Sequence, residues 1–156
     1  MIDSPLFSRS YASPWGRLLL TATEEAIISL TWSTRRAAVS NSLLDQAVEQ
    51  LVDYAGGRLR CFDLPLAPSG TPFQQQVYAV MSAIPFGETR SYGDVAKELG
   101  SAAQPVGQAC GSNPIPIIIP CHRILGADGL GGFSAPGGVE MKIQLLKHED
   151  AFPYLL

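Results

Sequence analysis

The residues best suited to covalent chemistry lie in one stretch, Asn113-Pro114-Ile115-Pro116-Ile117-Ile118-Ile119-Pro120-Cys121-His122-Arg123. Cys121 follows a run of Ile and Pro, so its thiol is expected in apolar surroundings. Such surroundings disfavour the thiolate and raise the pKa. A protonated thiol is a weak nucleophile, so chemistry at Cys121 requires a base close by. His122 is the adjoining one. Consecutive side chains diverge along an extended chain, so the imidazole is expected to reach the sulfur through one bridging water. A third group should fix the imidazole's tautomer, and Glu149, just beyond the last predicted helix, is the acid expected there. The plainer reading of such a cysteine is a small apolar core residue. Cys61 and Cys110, with nothing nearby to activate them, are read that way.

Other chemistries fit poorly. Three cysteines, none in a C-x-x-C pair, and two histidines (His122 and His148) make neither a disulfide framework nor a recognisable zinc spacing. No metal and no cofactor is expected. No apolar run approaches the roughly 20 residues of a membrane span, and Met1-Ile2-Asp3-Ser4 opens no signal region, so a cytoplasmic protein without membrane association is expected. The net charge of −3 and mean hydropathy of +0.13 describe a globular chain without the overall basic footprint of most nucleic-acid binders. Any DNA contact must therefore come from local features, and binding should be modest because phosphate neutralisation supplies most non-specific affinity.

The elements that must position these groups fall into two lobes, expected at residues 1–66 and 70–156. Strand-like runs lie near 6–11, at 17–22 and at 26–32, with a turn at Pro14–Gly16. Helical spacing follows at 40–54, ending at Gly56-Gly57. Residues 61–72, rich in Pro and Ser, read as a linker, although the alternation of Phe62, Leu64 and Leu66 suits a segment pinned against a lobe. The second lobe opens with Thr71-Pro72-Phe73, a polar cap before a proline at the first helical position. Its helix runs to Ile84, and shorter helices are expected at 91–99 and 105–111. The three prolines at 114, 116 and 120 predict an extended segment. A Gly-rich loop at 126–138 and an amphipathic helix at 139–148 complete the lobe. Across 92–109, Val95, Ala96 and Leu99, then Gly100, then Val106 and Ala109 give the inward pattern of a helix-turn-helix. Its second helix has small, uncharged residues: it can approach a groove closely but does not attract phosphate.

Pro120-Cys121-His122-Arg123, preceded by Asn113-Pro114-Ile115-Pro116, resembles the signature of the O6-alkylguanine-DNA alkyltransferases. Gly70-Thr71-Pro72-Phe73-Gln74, Gly87-Glu88-Thr89-Arg90-Ser91-Tyr92, Gly131-Gly132-Phe133-Ser134 and the stretch from Lys142 to Glu149 follow in that family's order, so the likeness covers about residues 70–149. It implies an α+β fold: a small antiparallel-sheet, ribonuclease H-like N-terminal lobe, then a helical lobe with a helix-turn-helix-like, winged-helix-like DNA-binding unit. It also implies a monomer acting on double-stranded DNA that carries alkylated guanine. The alkyl group would pass from the flipped-out base to Cys121, irreversibly and in a single turnover. By the same resemblance His122 is the base, Glu149 orients it, and Tyr92 donates a proton to the departing guanine. Asn113 holds the turn before the active-site segment, and Pro116, Gly131, Phe133 and Ser134 line the base pocket. Gln104, Gln108 and Arg123 contact DNA. Two departures stand out: Gln104 occupies the place where many members carry Arg, and Phe133 stands where some carry Tyr. The zinc ligands seen in the first lobe of some relatives have no counterpart.

Two other functions use the same residues differently. A non-catalytic sensor of alkylated DNA would need the helix pair but not the thiol. A Cys-His-Glu hydrolase would use the thiol on acyl substrates, with many turnovers, and would leave the helix pair without a purpose.

Overall fold

The computed structural model describes residues 5–37, 39–126, 129–133 and 135–151. The chain divides into two compact units, residues 1–69 and 70–156.

In the first unit, β1 (Phe7–Ser13), β2 (Gly16–Ala22) and β3 (Ile27–Trp32) form an antiparallel sheet in the order β1-β2-β3. Ser13 pairs with Gly16 across a two-residue turn. Gly16 takes a φ of 114° there, a region that suits a residue without a Cβ. Helix α1 (Ser42–Ala55) is capped by Asn41, whose side chain accepts from the Leu44 amide. Its apolar face buries Leu44, Ala47, Val48, Leu51 and Tyr54, and it packs on β1 and β2. The segment read as a linker is bound to the sheet. The Ile27 amide donates to Pro65 O, and the Ala67 amide donates to Ile27 O, so Leu66 lies alongside β3.

The second unit begins with α2 (Pro72–Ser82), opened by a capping box in which Thr71 and Gln74 satisfy each other's backbone amides. A two-residue strand β4 (Arg90–Ser91) leads into α3 (Tyr92–Leu99), with a second capping box between Ser91 and Asp94. Gly100 ends α3 in the left-handed conformation at φ 65°, turning the chain into α4 (Ala103–Gly111). Helix α4 packs on both α2 and α3. It starts two residues earlier than its composition predicts, because Pro105 falls in its first turn, where a missing amide hydrogen costs nothing.

The chain then reaches a 3-10 turn at Cys121–Arg123 and β5 (Ile124–Leu125), which pairs in parallel with β4, a pairing too short to leave a periodic signal. Helix α5 (Val139–His148) closes the unit. The proline-rich segment departs from expectation. It is not a straight extended run. The Ile119 amide donates to Ile115 O and Ile117 has a φ of 74°, so the chain doubles back. A β-branched residue in that region is strained. Ile117 is fully buried, and the packing around it offsets the strain.

Candidate active site

Asn113 sets the start of the turn. Its Oδ1 accepts from the Ile115 amide at 3.0 Å and its Nδ2 donates to Ile119 O at 2.8 Å, so one side chain spans the loop that carries Pro120 and Cys121. Cys121 follows, buried at the head of the 3-10 turn. Its thiol borders a cleft of about 360 Å³ lined by Tyr92 from α3, Gly107, Cys110 and Gly111 from α4, and Gly132 and Phe133 from the Gly-rich loop. With glycine at 107 and 111, α4 presents the small Cys110 side chain to the cleft, so a flat ligand can lie close to the helix.

Burial pushes the Cys121 thiol up; a hydrogen bond from Asn113 and the charge of Lys142 oppose it without overcoming it. The thiol at rest is protonated. Its neighbour His122 is fully buried, with Nε2 2.7 Å from Glu149 Oε2. An ionised carboxylate only accepts, so Nε2 carries the hydrogen and Nδ1 keeps its lone pair. Nδ1 makes no hydrogen bond to any described protein atom.

Arg123 corrects the sequence expectation. It was placed among the DNA contacts, yet its side chain is buried. Nε donates to Glu149 Oε1 at 2.8 Å, Nη2 to Glu149 Oε2 at 2.9 Å and Nη1 to Ile84 O at 2.6 Å. Three of its five N–H donors are committed inward and the side chain is 7% exposed, so the guanidinium is withdrawn from any phosphate. Its effect is electrostatic. Burial alone would push the Glu149 carboxyl up, but the hydrogen bonds from His122 and Arg123, with the guanidinium charge, outweigh it and hold Glu149 ionised. Arg123 answers that charge with a fork matched to the carboxylate, so the imidazole has no need to. Burial, aided by the charges of Arg123 and Lys142, keeps the His122 pKa below its usual value despite Glu149. The result is a neutral imidazole of fixed tautomer, free to take a proton at Nδ1. Gly87, whose amide lies 3.5 Å from Glu149 Oε1, adds a fourth, weaker contact to the carboxylate.

Tyr92 stands between the loop and α4. A Cβ on Gly131 would lie 2.9 Å from Tyr92 Cε2, and one on Gly107 would lie 4.0 Å from Cε1, so glycine at 131 makes room for the ring. Desolvation, with the charges of the two cysteines, pushes Tyr92 up to about 12, so it remains a proton donor. Of the residues expected to line the base pocket, Phe133 borders the cleft. Gly131 instead backs Tyr92, with Gly132 on the lining. Pro116 is buried within the turn and borders no part of the cleft, because the chain that was expected to run straight past it folds back. Ser134 lies outside the described residues. Gln104 and Gln108 are exposed on α4 and, four residues apart, share one face.

Lys142 escaped the sequence reading. It is fully buried on α5, and its Nζ donates to Leu130 O and, at 3.2 Å, to Gly132 O. A lysine at a core-facing position of an amphipathic helix, followed four positions on by buried Leu146, was the available signal. Among the described residues no group of three or more His, Cys, Asp and Glu side chains gathers as a metal site, and no helix is long and apolar enough to cross a membrane.

A buried thiol bordering a cleft, a neighbouring imidazole held by a carboxylate, and a helix pair presenting small residues beside them make a cysteine site next to two packed helices. Comparison with known proteins narrows this. The family profiles described as 6-O-methylguanine DNA methyltransferase match twice: the ribonuclease-like domain over residues 6–68 and the DNA-binding domain over residues 72–151. The methylated-DNA–protein-cysteine methyltransferase of Methanosarcina acetivorans is 40% identical over 152 residues, covering 90% of this chain and 96% of that protein. That of Mycobacterium leprae is 41% identical over 151 residues, 90% of each chain. Among solved structures, the Mycobacterium tuberculosis O6-methylguanine methyltransferase superposes with a TM-score of 0.84 at 38% identity over 94% of both chains. The same organism's OGT in complex with DNA superposes with a TM-score of 0.82 at 41% identity over 92% of both. The chain belongs to the 6-O-methylguanine DNA methyltransferase family.

Proposed function

We propose that this protein repairs DNA by taking the alkyl group from O6 of guanine onto Cys121, acting in the cytoplasm and once per molecule. The single observation that carries the reading is the buried Cys121 thiol facing the cleft, beside a neutral His122 whose Nδ1 is unengaged while its Nε2 is held by Glu149. The target base leaves the stack to reach a thiol set this deep, at a cost of a few kcal/mol. The Cys121 proton passes through a water to His122 Nδ1, and the imidazolium formed is stabilised by Glu149. The thiolate attacks the alkyl carbon as the bond from that carbon to guanine O6 breaks, and Tyr92 gives its proton to the departing base. The product is a thioether. Its C–S bond is not open to hydrolysis, so the acceptor is consumed.

Gln104 and Gln108, exposed on α4, would meet the duplex on this reading. They bring hydrogen bonds and no charge, so recognition relies on shape and close approach. Intact mass after incubation with a duplex bearing methylated guanine tests the reading. The expected result is a gain of one CH2 per chain, mapped to Cys121 and lost in Cys121→Ala while duplex binding persists. Binding without any mass gain in the unaltered protein would establish the sensor function instead. Repeated turnover of an ester or amide would establish the hydrolase.

A further inference from the structure

Residues 84–87, the turn that leaves α2, meet the Arg123–Glu149 pair at three points. Ile84 O accepts from Arg123 Nη1 at 2.6 Å. The Phe86 ring centroid lies 6.0 Å from the Arg123 guanidinium carbon and 6.3 Å, edge to face, from the His148 ring. The Gly87 amide donates a long hydrogen bond, at 3.5 Å, to Glu149 Oε1, while Glu149 Oε2 lies 2.7 Å from His122 Nε2. The turn and the imidazole thus address the two oxygens of one carboxylate.

Position 87 is held to glycine by two independent constraints. The Glu88 amide donates to Pro85 O at 3.1 Å, closing a β-turn in which Gly87 takes a φ of 84°, the value a type II turn demands of its third residue. A Cβ on Gly87 would also lie 3.3 Å from the backbone oxygen of Glu149, tighter than ordinary van der Waals contact. That oxygen belongs to a tied helix end. The Glu149 amide donates to Leu145 O, the Asp150 amide to Lys147 O and the Ala151 amide to Leu146 O, and Asp150 has a φ of 58°. A push on Glu149 O therefore moves the end of α5, and the carboxylate with it.

We propose that Gly87 is a positioning residue for the base: lacking a side chain, it lets the turn seat against the end of α5 so that the Glu149 carboxylate is aimed at His122. The inference rests on the reading of His122 as the base for Cys121. Ile84 and Phe86 serve the same end by holding Arg123 on that carboxylate. The described titratable groups around Glu149 are His122 and Arg123 from the 3-10 turn, Glu88 from the 85–88 turn, and Lys147, His148 and Asp150 from its own end of α5. His122 and Arg123 are the two whose side chains bond its carboxylate.

The test follows alkylation of Cys121 by iodoacetamide, which needs the thiolate but no DNA. It is read by peptide mass, because Cys61 is exposed and reacts as well. Wild type is compared with Gly87→Ala, Gly87→Asn, Glu149→Gln and the two doubles. Both substitutions at 87 carry the Cβ, but Asn tolerates a positive φ better than Ala. At neutral pH both should slow alkylation about tenfold, since misplacing a catalytic group by an ångström costs on the order of a hundredfold and the shift here is a fraction of that. The gap should close at alkaline pH, where thiolate forms unaided. In the Glu149→Gln background the same changes should slow alkylation no further, because their route runs through the carboxylate. A lower Tm with an unchanged neutral-pH rate would overturn the assignment, as would equal slowing with and without Glu149. Slowing in Gly87→Ala that is absent from Gly87→Asn would place the effect in the turn's φ alone and overturn it too. If Gly87→Ala fails to fold by circular dichroism, Gly87→Asn carries the comparison. Wild type that gains no mass from methylated duplex would refute the proposed function, and the iodoacetamide rates would still decide the role of Gly87.

Discussion

Replacing Arg123 by Met separates its two possible roles. The substitution removes three buried hydrogen bonds, two of them to Glu149, and takes the guanidinium away from a carboxylate that is 1% exposed and still faces His122 and the Gly87 amide. Removing one member of a buried ion pair costs about 3–5 kcal/mol. At about 2–4 °C per kcal/mol for a chain of this length, Tm should fall by roughly 10 °C. The second effect is chemical. Glu149, deprived of the guanidinium, draws a proton onto His122, and an imidazolium at rest cannot accept the Cys121 proton. Single-turnover transfer measured from pH 6 to 9.5 should therefore be most impaired at neutral pH and recover toward alkaline pH, where thiolate forms unaided. Adding Glu149→Gln to Arg123→Met removes the uncompensated charge and should return part of the Tm without returning the neutral-pH rate. Had Arg123 been the DNA contact that its neighbourhood in the sequence suggests, the variant would melt normally and lose duplex affinity. That outcome would refute the account of the site given above.

Other perturbations give equally direct outcomes. Glu149 has its carboxyl held below the usual range in the folded state, so its contribution is present above the ordinary value of 4.5 and is lost as pH falls below it. Urea unfolding should show level stability near pH 6 and a steady decline under pH 4.5, a decline much reduced in Glu149→Gln. Gly131→Ala forces a Cβ to within 2.9 Å of Tyr92 at a φ of 72°. Transfer should drop at least tenfold while iodoacetamide still reaches Cys121, and an unaltered rate would show that Tyr92 needs no such support. Gln104→Arg should tighten duplex binding and steepen its salt dependence by about one; an unchanged slope would remove Gln104 from the DNA-facing surface.

The parts of the molecule that sequence displays well are those where local chemistry and tertiary demand agree. Thr71-Pro72, the Ser91 cap and Gly100 mark helix boundaries by backbone chemistry, and the structure uses each of them. Cys121 and His122 were conspicuous because a nucleophile and a base stand next to each other after an apolar run. Glu149 could be named only as the nearest acid beyond a helix. Its bond to His122 depends on how α5 docks near the 3-10 turn, which no local pattern specifies. Arg123 misled for the same reason: a guanidinium beside a helix-turn-helix looks like a phosphate contact until the partner that neutralises it is seen 26 positions further on. The fold-back at 114–120 was hidden because three prolines predict an extended backbone, whereas Ile117 accepts a positive φ under the pressure of its packing.

The borders of the β1-β2-β3 sheet bear on the life history of such a molecule. Along its outer strands, the Ser8 amide donates to Val39 O at 2.8 Å on one side, and residues 65–67 occupy part of β3 on the other. Exposed strand borders invite pairing with other chains. A population of spent molecules, each still present after its only reaction, would be the pool most at risk of such accretion. Stretches of the chain's own backbone along both borders leave those accumulated copies fewer places from which to assemble into larger aggregates while they await removal.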